Sequence, residues 1–208
     1  MKKIALFLIL IFLAAGTCLA DEGLKKTANI APESTAGGYT EEKSLEAIEV
    51  LTGFSWGDLK KQKDYNLVPI LVAFDFNMKP LTRKINFNPR SLVQFQIEPF
   101  LGYISSPDSN FEMGTSFFFK FGVLPQTSKI QPYIKAGVGF DYMTLHTYEQ
   151  STQFNFISTG AVGVHVFFSK DTALTLEGRY RHLSNASIDE PNNGINSITG
   201  NIGILHQF

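Results

Sequence analysis

Arg179-Tyr180-Arg181-His182-Leu183-Ser184-Asn185-Ala186 is the stretch of this chain best equipped for chemistry. It is followed closely by Pro191-Asn192-Asn193-Gly194-Ile195-Asn196. A histidine and a serine two residues apart on an extended strand project from the same face. An imidazole beside a hydroxyl is the pair needed for acyl transfer to water: serine attacks an ester carbonyl and histidine accepts its proton. A third group must hold the imidazole tautomer. Donors for the developing oxyanion are also required, and a turn rich in backbone N–H groups supplies them.

The elements that must carry this pair are strands. Beyond residue 43 the chain breaks into alternating segments of roughly ten residues separated by turn chemistry. Strands are expected at about 44–54, 66–76, 91–103, 111–123, 131–143, 154–168, 172–184 and 197–208. The first is the weakest in pattern. Most carry apolar residues on one parity and charges on the other. Asp75, Glu98, Glu112, Lys120, Lys135, Asp141, Glu177, Arg179 and Arg181 all fall on the charged face. A soluble sandwich does not need such a face on most of its strands. A transmembrane barrel does, with apolar side chains outward and compensating polar groups inside. Eight strands close the smallest common version, with no open channel. The expected fold is therefore all-β, an eight-stranded antiparallel transmembrane β-barrel. Tyr103, Tyr142, Tyr180 and Phe208 fit the aromatic girdles at its two rims.

The first twenty residues fit a secretory leader. Lys2 and Lys3 precede an apolar run over 4–15, with small residues up to Ala20 and the charged Asp21-Glu22 beyond. This is a signal peptide with cleavage after Ala20, and the run is short for a membrane helix. Thr17 suits a lipoprotein box at Cys18 poorly. Loss of the leader removes Cys18, the one cysteine, and with it disulfide or thiol chemistry. The domain reading is 1–20 signal peptide, 21–42 flexible N-terminal arm and 43–208 barrel. With 18 basic and 19 acidic residues in the whole chain, there is no nucleic-acid footprint. Nineteen phenylalanines and 17 glycines, without a later long apolar run, suit strands with one greasy face. The terminal Phe208, with Ile202 and Ile204 before it, resembles the assembly signal of bacterial outer-membrane proteins.

Parity assigns the candidate site to the outside. His182 and Ser184 share their face with Leu174, Leu176 and Tyr180, and Asn196 shares its face with Ile198, Ile202 and Ile204. An even strand count puts both termini in the periplasm and the 183–196 connection at the extracellular rim. A polar cluster facing lipid is costly without a purpose, though less so at headgroup level. The segment 77–90 is long for a periplasmic turn, and the alternation of Lys84-Ile85-Asn86-Phe87 suggests an extended piece within it. His165 falls on the lumen face and reads as a packed interior group. His146 and His206 have no metal-ligand partner at useful spacing. Asn192-Asn193-Gly194 is also a good turn in its own right.

The tract resembles the lipid A 3-O-deacylase (PagL) family and its acyloxyacyl-hydrolase-like relatives. The resemblance rests on His182, Ser184, Asn185 and Ala186, then Pro191, Asn192, Gly194 and Ser197. It is specific over about twenty residues and architectural over the rest. It implies an outer-membrane serine esterase that removes an ester-linked acyl chain from lipid A of lipopolysaccharide. It also implies His182 as base, Ser184 as nucleophile and Asn192 at the oxyanion site. Asn185 and Gly194 join Asn192 as oxyanion or positioning residues. Lipopolysaccharide and outer-membrane lipid are the implied partners, a homodimer is left open, and no metal or cofactor is called for. One departure stands out: the acidic member of the better-known deacylases corresponds to Asn196 here. An amide oxygen can orient an imidazole but does not neutralise it. Asn196, Asp189 and Glu190 therefore all remain candidates for the third member. The alternative functions are a non-catalytic structural or binding barrel with a degenerate loop, and a phospholipase-type esterase.

Overall fold

The computed structural model describes residues 44–60 and 64–208. The leader and the arm read from the sequence lie outside them. Eight antiparallel strands close into one barrel in simple sequential order. They are β1 (Leu45–Asp58), β2 (Tyr65–Asn77), β3 (Ser91–Ser106), β4 (Asn110–Pro125), β5 (Ile130–Met143), β6 (Phe154–Phe167), β7 (Thr172–Ser184) and β8 (Ile195–Gln207), with β8 pairing back onto β1. The expected eight-stranded barrel is what forms.

Two expectations are corrected. The first strand runs past residue 54 to Asp58, because Ser55, Trp56, Gly57 and Asp58 find backbone partners on β8. The segment 77–90 holds no extended piece. It winds into a short helix α1 (Lys79–Thr82), with Pro80 in its first turn, and continues as a 3-10 turn (Arg83–Ile85). Asn86 ends that turn in the left-handed region at φ 59°, a conformation asparagine tolerates better than most residues. The alternation of 84–87 thus came from a helical turn and its cap.

Side chains sort by parity as a barrel in lipid requires. Val138, Val162, Leu176 and Ile198 stand on the outer wall, the first 63 % exposed. Glu49, Asp75, Glu98, Glu112, Lys120, Lys135, Asp141, Glu177 and Arg179 are buried inside, together with His165. Inside, most of the charges pair, Asp141 being the one whose carboxylate oxygens have no hydrogen-bond partner among the described residues. Arg179 grips Glu98 with both terminal nitrogens, at 2.5 and 2.7 Å, and turns its Nε to Glu177. Lys135 reaches Glu98 at 3.1 Å and Glu177 at 2.9 Å. Lys120 bonds Asp75 at 2.9 Å, and Arg181 bonds Glu112 at 2.6 Å.

The sequence pattern did not reveal what closes this polar column. Leu59, Tyr65, Leu67, Ile104, Met143, Leu145, Leu183 and Ile195 form a buried apolar plug at the end carrying the β7–β8 loop. Ala47, Phe167, Ala173 and Leu205 do the same at the opposite end, where β1 begins and β8 stops. The plugs restrict water's access to the charges between them, which strengthens their mutual attraction, with a small cavity left beside Glu98, Glu112, Arg179 and Arg181.

Candidate active site on the outer wall

The strands that matter here pair without a break in register. β6–β7, β7–β8 and β8–β1 contain no bulge, so the inward–outward phase carries from one strand to the next. Leu183 of β7 and Ile195 of β8 are direct partners, and both point into the apolar plug. Their neighbours His182, Ser184 and Asn196 are thereby turned outward. The same alternation that seats Leu183 and Ile195 inside fixes the polar group outside.

His182 and Asn196 are direct cross-strand partners. His182 Nδ1 lies 2.8 Å from Asn196 Oδ1, and the Tyr180 hydroxyl donates to the same oxygen at 2.9 Å. An amide oxygen has no hydrogen to give, so Nδ1 carries the imidazole proton and Nε2 presents its lone pair. Ser184 is half-buried on the same face, and its hydroxyl makes no hydrogen bond among the described residues, to His182 or to any other group. On the other flank, Ser158 of β6 stands opposite His182 and Phe156 opposite Ser184.

Gly194 backs the imidazole. Its φ of +72° is a left-handed conformation, and a Cβ there would lie 2.5 Å from His182 Cε1. Alanine at this position adds two costs, backbone strain of roughly 1–2 kcal/mol and displacement of the ring. A shift of about 1 Å in a reacting group can cost a hundredfold in rate. Gly194→Ala is therefore expected to lower any activity that depends on the His182 ring about a hundredfold while the barrel still folds. An ester-hydrolysis assay on the folded, detergent-extracted variant checks this, and a rate within threefold of the unaltered protein's refutes it.

The β7–β8 loop is held by its own amides and by the β5–β6 loop. Asn185 is fully buried. Its Nδ2 donates to Ser151 Oγ at 3.0 Å and to the Asp189 carbonyl at 2.8 Å. Its backbone N–H reaches Gln150 Oε1 at 3.1 Å and Asn192 Oδ1 at 3.0 Å. Backbone bonds from Asn193 to Glu149 and from Ser151 to Pro191 tie the two loops together. Both hydrogens of the Asn185 amide are thus engaged within the loops. Asn192 keeps one amide hydrogen free, the other reaching Ser187 Oγ at 3.3 Å. Ala186 and Ser187 both adopt positive φ, 54° and 60°, and the Ile188 N–H returns to the Asn185 carbonyl. That is the backbone of a tight primed turn made without glycine.

Of the three candidates for the third member, Asn196 reaches the imidazole. Asp189 Oδ1 accepts from the Glu190 N–H at 2.9 Å, and Glu190 Oε2 accepts from the Asn192 N–H at 3.2 Å. Both carboxylates therefore serve the loop's backbone. Sequence reading did not identify the Gln150 and Ser151 clamp or the Tyr180 bond to Asn196. Parity had put Tyr180 on the right face, but bonds to another strand or loop depend on register.

Below Tyr180 the outer wall opens into a groove of about 570 Å3 lined by Val162, Val164, Leu176, Gly178, Gly200 and Ile202. Gly178 and Gly200 face each other across β7 and β8, and neither has an atom within 4 Å of where a Cβ would stand. The groove is shallow and open, Glu177 and Asn201 border it beside the apolar side chains, and it begins about 13 Å along β7 from His182, four residues at strand rise.

Fold and site together define an outer-membrane β-barrel with a polar cluster on its lipid-facing wall. The chain belongs to the lipid A 3-O-deacylase (PagL) family, whose model matches residues 70–204. Among solved structures it is similar to the outer membrane enzyme PagL, at 14% identity and a TM-score of 0.52, covering 76% of this chain and 97% of that one. It is also similar to Neisserial surface protein A, at 11% identity and a TM-score of 0.55, covering 78% and 96%. At these identities the structural matches speak for the fold. No curated protein matches the chain.

Proposed function

We propose that this protein is a serine esterase of the bacterial outer membrane that removes the 3-O-linked acyl chain from lipid A. One observation carries the reading. In a chain of the lipid A deacylase family, an imidazole whose Nδ1 is held by Asn196 stands two residues from an unclaimed serine hydroxyl on the outer wall.

With both termini in the periplasm, the end bearing the β7–β8 loop lies at the outer leaflet, where lipopolysaccharide resides. Substrate approaches sideways, its sugars at the rim and its chain lying along the apolar groove past Tyr180. Ser184 Oγ attacks the ester carbonyl carbon as His182 Nε2 takes its proton. The carbonyl oxygen becomes an oxyanion, met by N–H groups of the β7–β8 loop and the free amide hydrogen of Asn192. Asn185 and Gly194 position that loop and the ring. The carbon–oxygen bond to the sugar breaks, and His182 returns the proton to the leaving 3-hydroxyl. Water then attacks the acyl carbon as His182 takes its proton, the bond from that carbon to Ser184 Oγ breaks, and His182 returns the proton to Oγ as the fatty acid leaves. Every group invoked comes from one barrel, so no second copy is needed.

Mass spectrometry of lipid A from cells with and without the protein tests the proposal. Loss of one hydroxyacyl mass in the producing cells is expected. Altered glycerophospholipids with unchanged lipid A would make the protein a phospholipase instead. No change in either would leave a non-catalytic barrel.

A further inference from the structure

The outward row that contains His182 does not end at Asn196. β8 pairs on its other side with β1, and the direct partner of Asn196 there is Asp58. The pairing has no register shift from Ala47 to Asp58. Asp58 is therefore on the same outer face as Asn196, exposed and at the same height. Across the wall the order is Ser158, His182, Asn196, Asp58. Directly opposed side chains in an antiparallel pair have Cβ atoms about 5 Å apart. Asp58 thus stands one strand from Asn196 and two from the imidazole, roughly 10 Å at ordinary strand spacing.

Asn196 has a structural need that Asp58 can meet. Its Oδ1 accepts from both Tyr180 and His182, while among the described residues its Nδ2 hydrogens have no hydrogen-bond partner. A carboxylate on the far flank of an amide draws those hydrogens toward itself and keeps the oxygen turned to the imidazole. The same carboxylate supplies the negative charge that an amide lacks. We propose that Asp58 is a positioning residue for the His182–Asn196 pair, holding the Asn196 amide with its oxygen toward His182 and favouring the imidazolium formed during catalysis. This rests on the esterase reading above.

The groups around His182 make the charge of Asp58 distinctive. From β6 it faces Ser158 and Phe156, from its own strand Tyr180 and Ser184, and from β8 Asn196. Lys60 follows beyond the end of β1, and Asp189 and Glu190 belong to the β7–β8 loop. Arg181 and Glu112 pair inside the wall. Among the described residues, Asp58 is the charged group in the row itself.

The experiment compares Asp58→Asn, Asp58→Glu, Asn196→Asp and the double variant Asp58→Asn/Asn196→Asp, each purified folded in detergent, for deacylation of lipid A across pH. Asp58→Asn is expected to lower kcat about three- to tenfold with KM unchanged. Asp58→Glu should retain most of the rate. In the Asn196→Asp background the carboxylate already sits beside His182, so adding Asp58→Asn should cost nothing. A kcat for Asp58→Asn equal to the unaltered protein's, a KM that changes in place of kcat, or an equal loss in both backgrounds overturns the assignment. Ser184→Ala measured alongside separates the two levels. If that variant is inactive while Asp58→Asn is unchanged, Asp58 alone is dismissed. If that variant is fully active, the esterase reading falls and takes the Asp58 role with it.

Discussion

On the esterase reading, Ser184→Ala is expected to abolish lipid A deacylation, with a rate loss of about 10⁴-fold or more, while the barrel remains folded. The magnitude follows from what the substitution removes. Without the hydroxyl there is no covalent intermediate, and loss of the nucleophile in hydrolases of this chemistry costs on the order of 10⁴–10⁶. Stability should barely change, because among the described residues the Ser184 hydroxyl has no hydrogen-bond partner for its loss to orphan. His182→Gln should lose activity to a similar extent, since glutamine fills the space but cannot cycle a proton. The two losses should not add, because nucleophile and base act as one unit. The measurement is release of a hydroxyacyl chain from purified lipopolysaccharide, with the heat-dependent gel mobility of folded barrels as the control. Turnover by Ser184→Ala within tenfold of the unaltered protein would dismiss the serine mechanism.

The second large effect concerns the lumen. Arg179→Met is expected to destabilise the barrel by about 3–5 kcal/mol, the usual cost of removing one partner from a buried charge network. Arg179 makes a two-pronged contact with Glu98 and a further bond to Glu177. Its loss leaves two buried carboxylates, in contact with each other's surroundings, sharing Lys135 as their remaining cation. Apolar plugs close both ends of this column, so water cannot readily take the missing guanidinium's place. Urea unfolding in detergent micelles should show the midpoint fall. The double variant Arg179→Met/Glu98→Gln should recover part of the loss, because it withdraws one of the orphaned charges. An unchanged midpoint for Arg179→Met would mean that the column contributes little to holding the cylinder together.

These two predictions draw on opposite faces of the same strand. Arg179 and Arg181 point inward, while Tyr180, His182 and Ser184 point outward, and the chain alternates between them one residue at a time. That alternation is a local property with a period of two, which is why a bare sequence exposes it. Fold class, the inward set of charges and the outward placement of the His-Ser pair were legible in this way, while the family resemblance rested on the residue types of the 182–197 tract. Parity also put His165 in the lumen, where it is found.

Other features depended on which strand lies beside which, and at what offset. Strand β1 was weak in pattern because Gly53, Ser55 and Gly57 interrupt its alternation, so its true end at Asp58 emerged only from its pairing with β8. That end is what brings a carboxylate level with Asn196, from the opposite end of the chain. The Gln150–Asn185 clamp likewise joins loops that no local pattern connects. The amide of Asn196, in place of a loop carboxylate, meets the imidazole because Asp189 and Glu190 are engaged with their own backbone. The sequence by itself determined which face each side chain takes, since a strand's pleat follows from its own residues. Tertiary structure decided which side chains become neighbours, because hydrogen-bond register between strands is set by closure of the whole barrel.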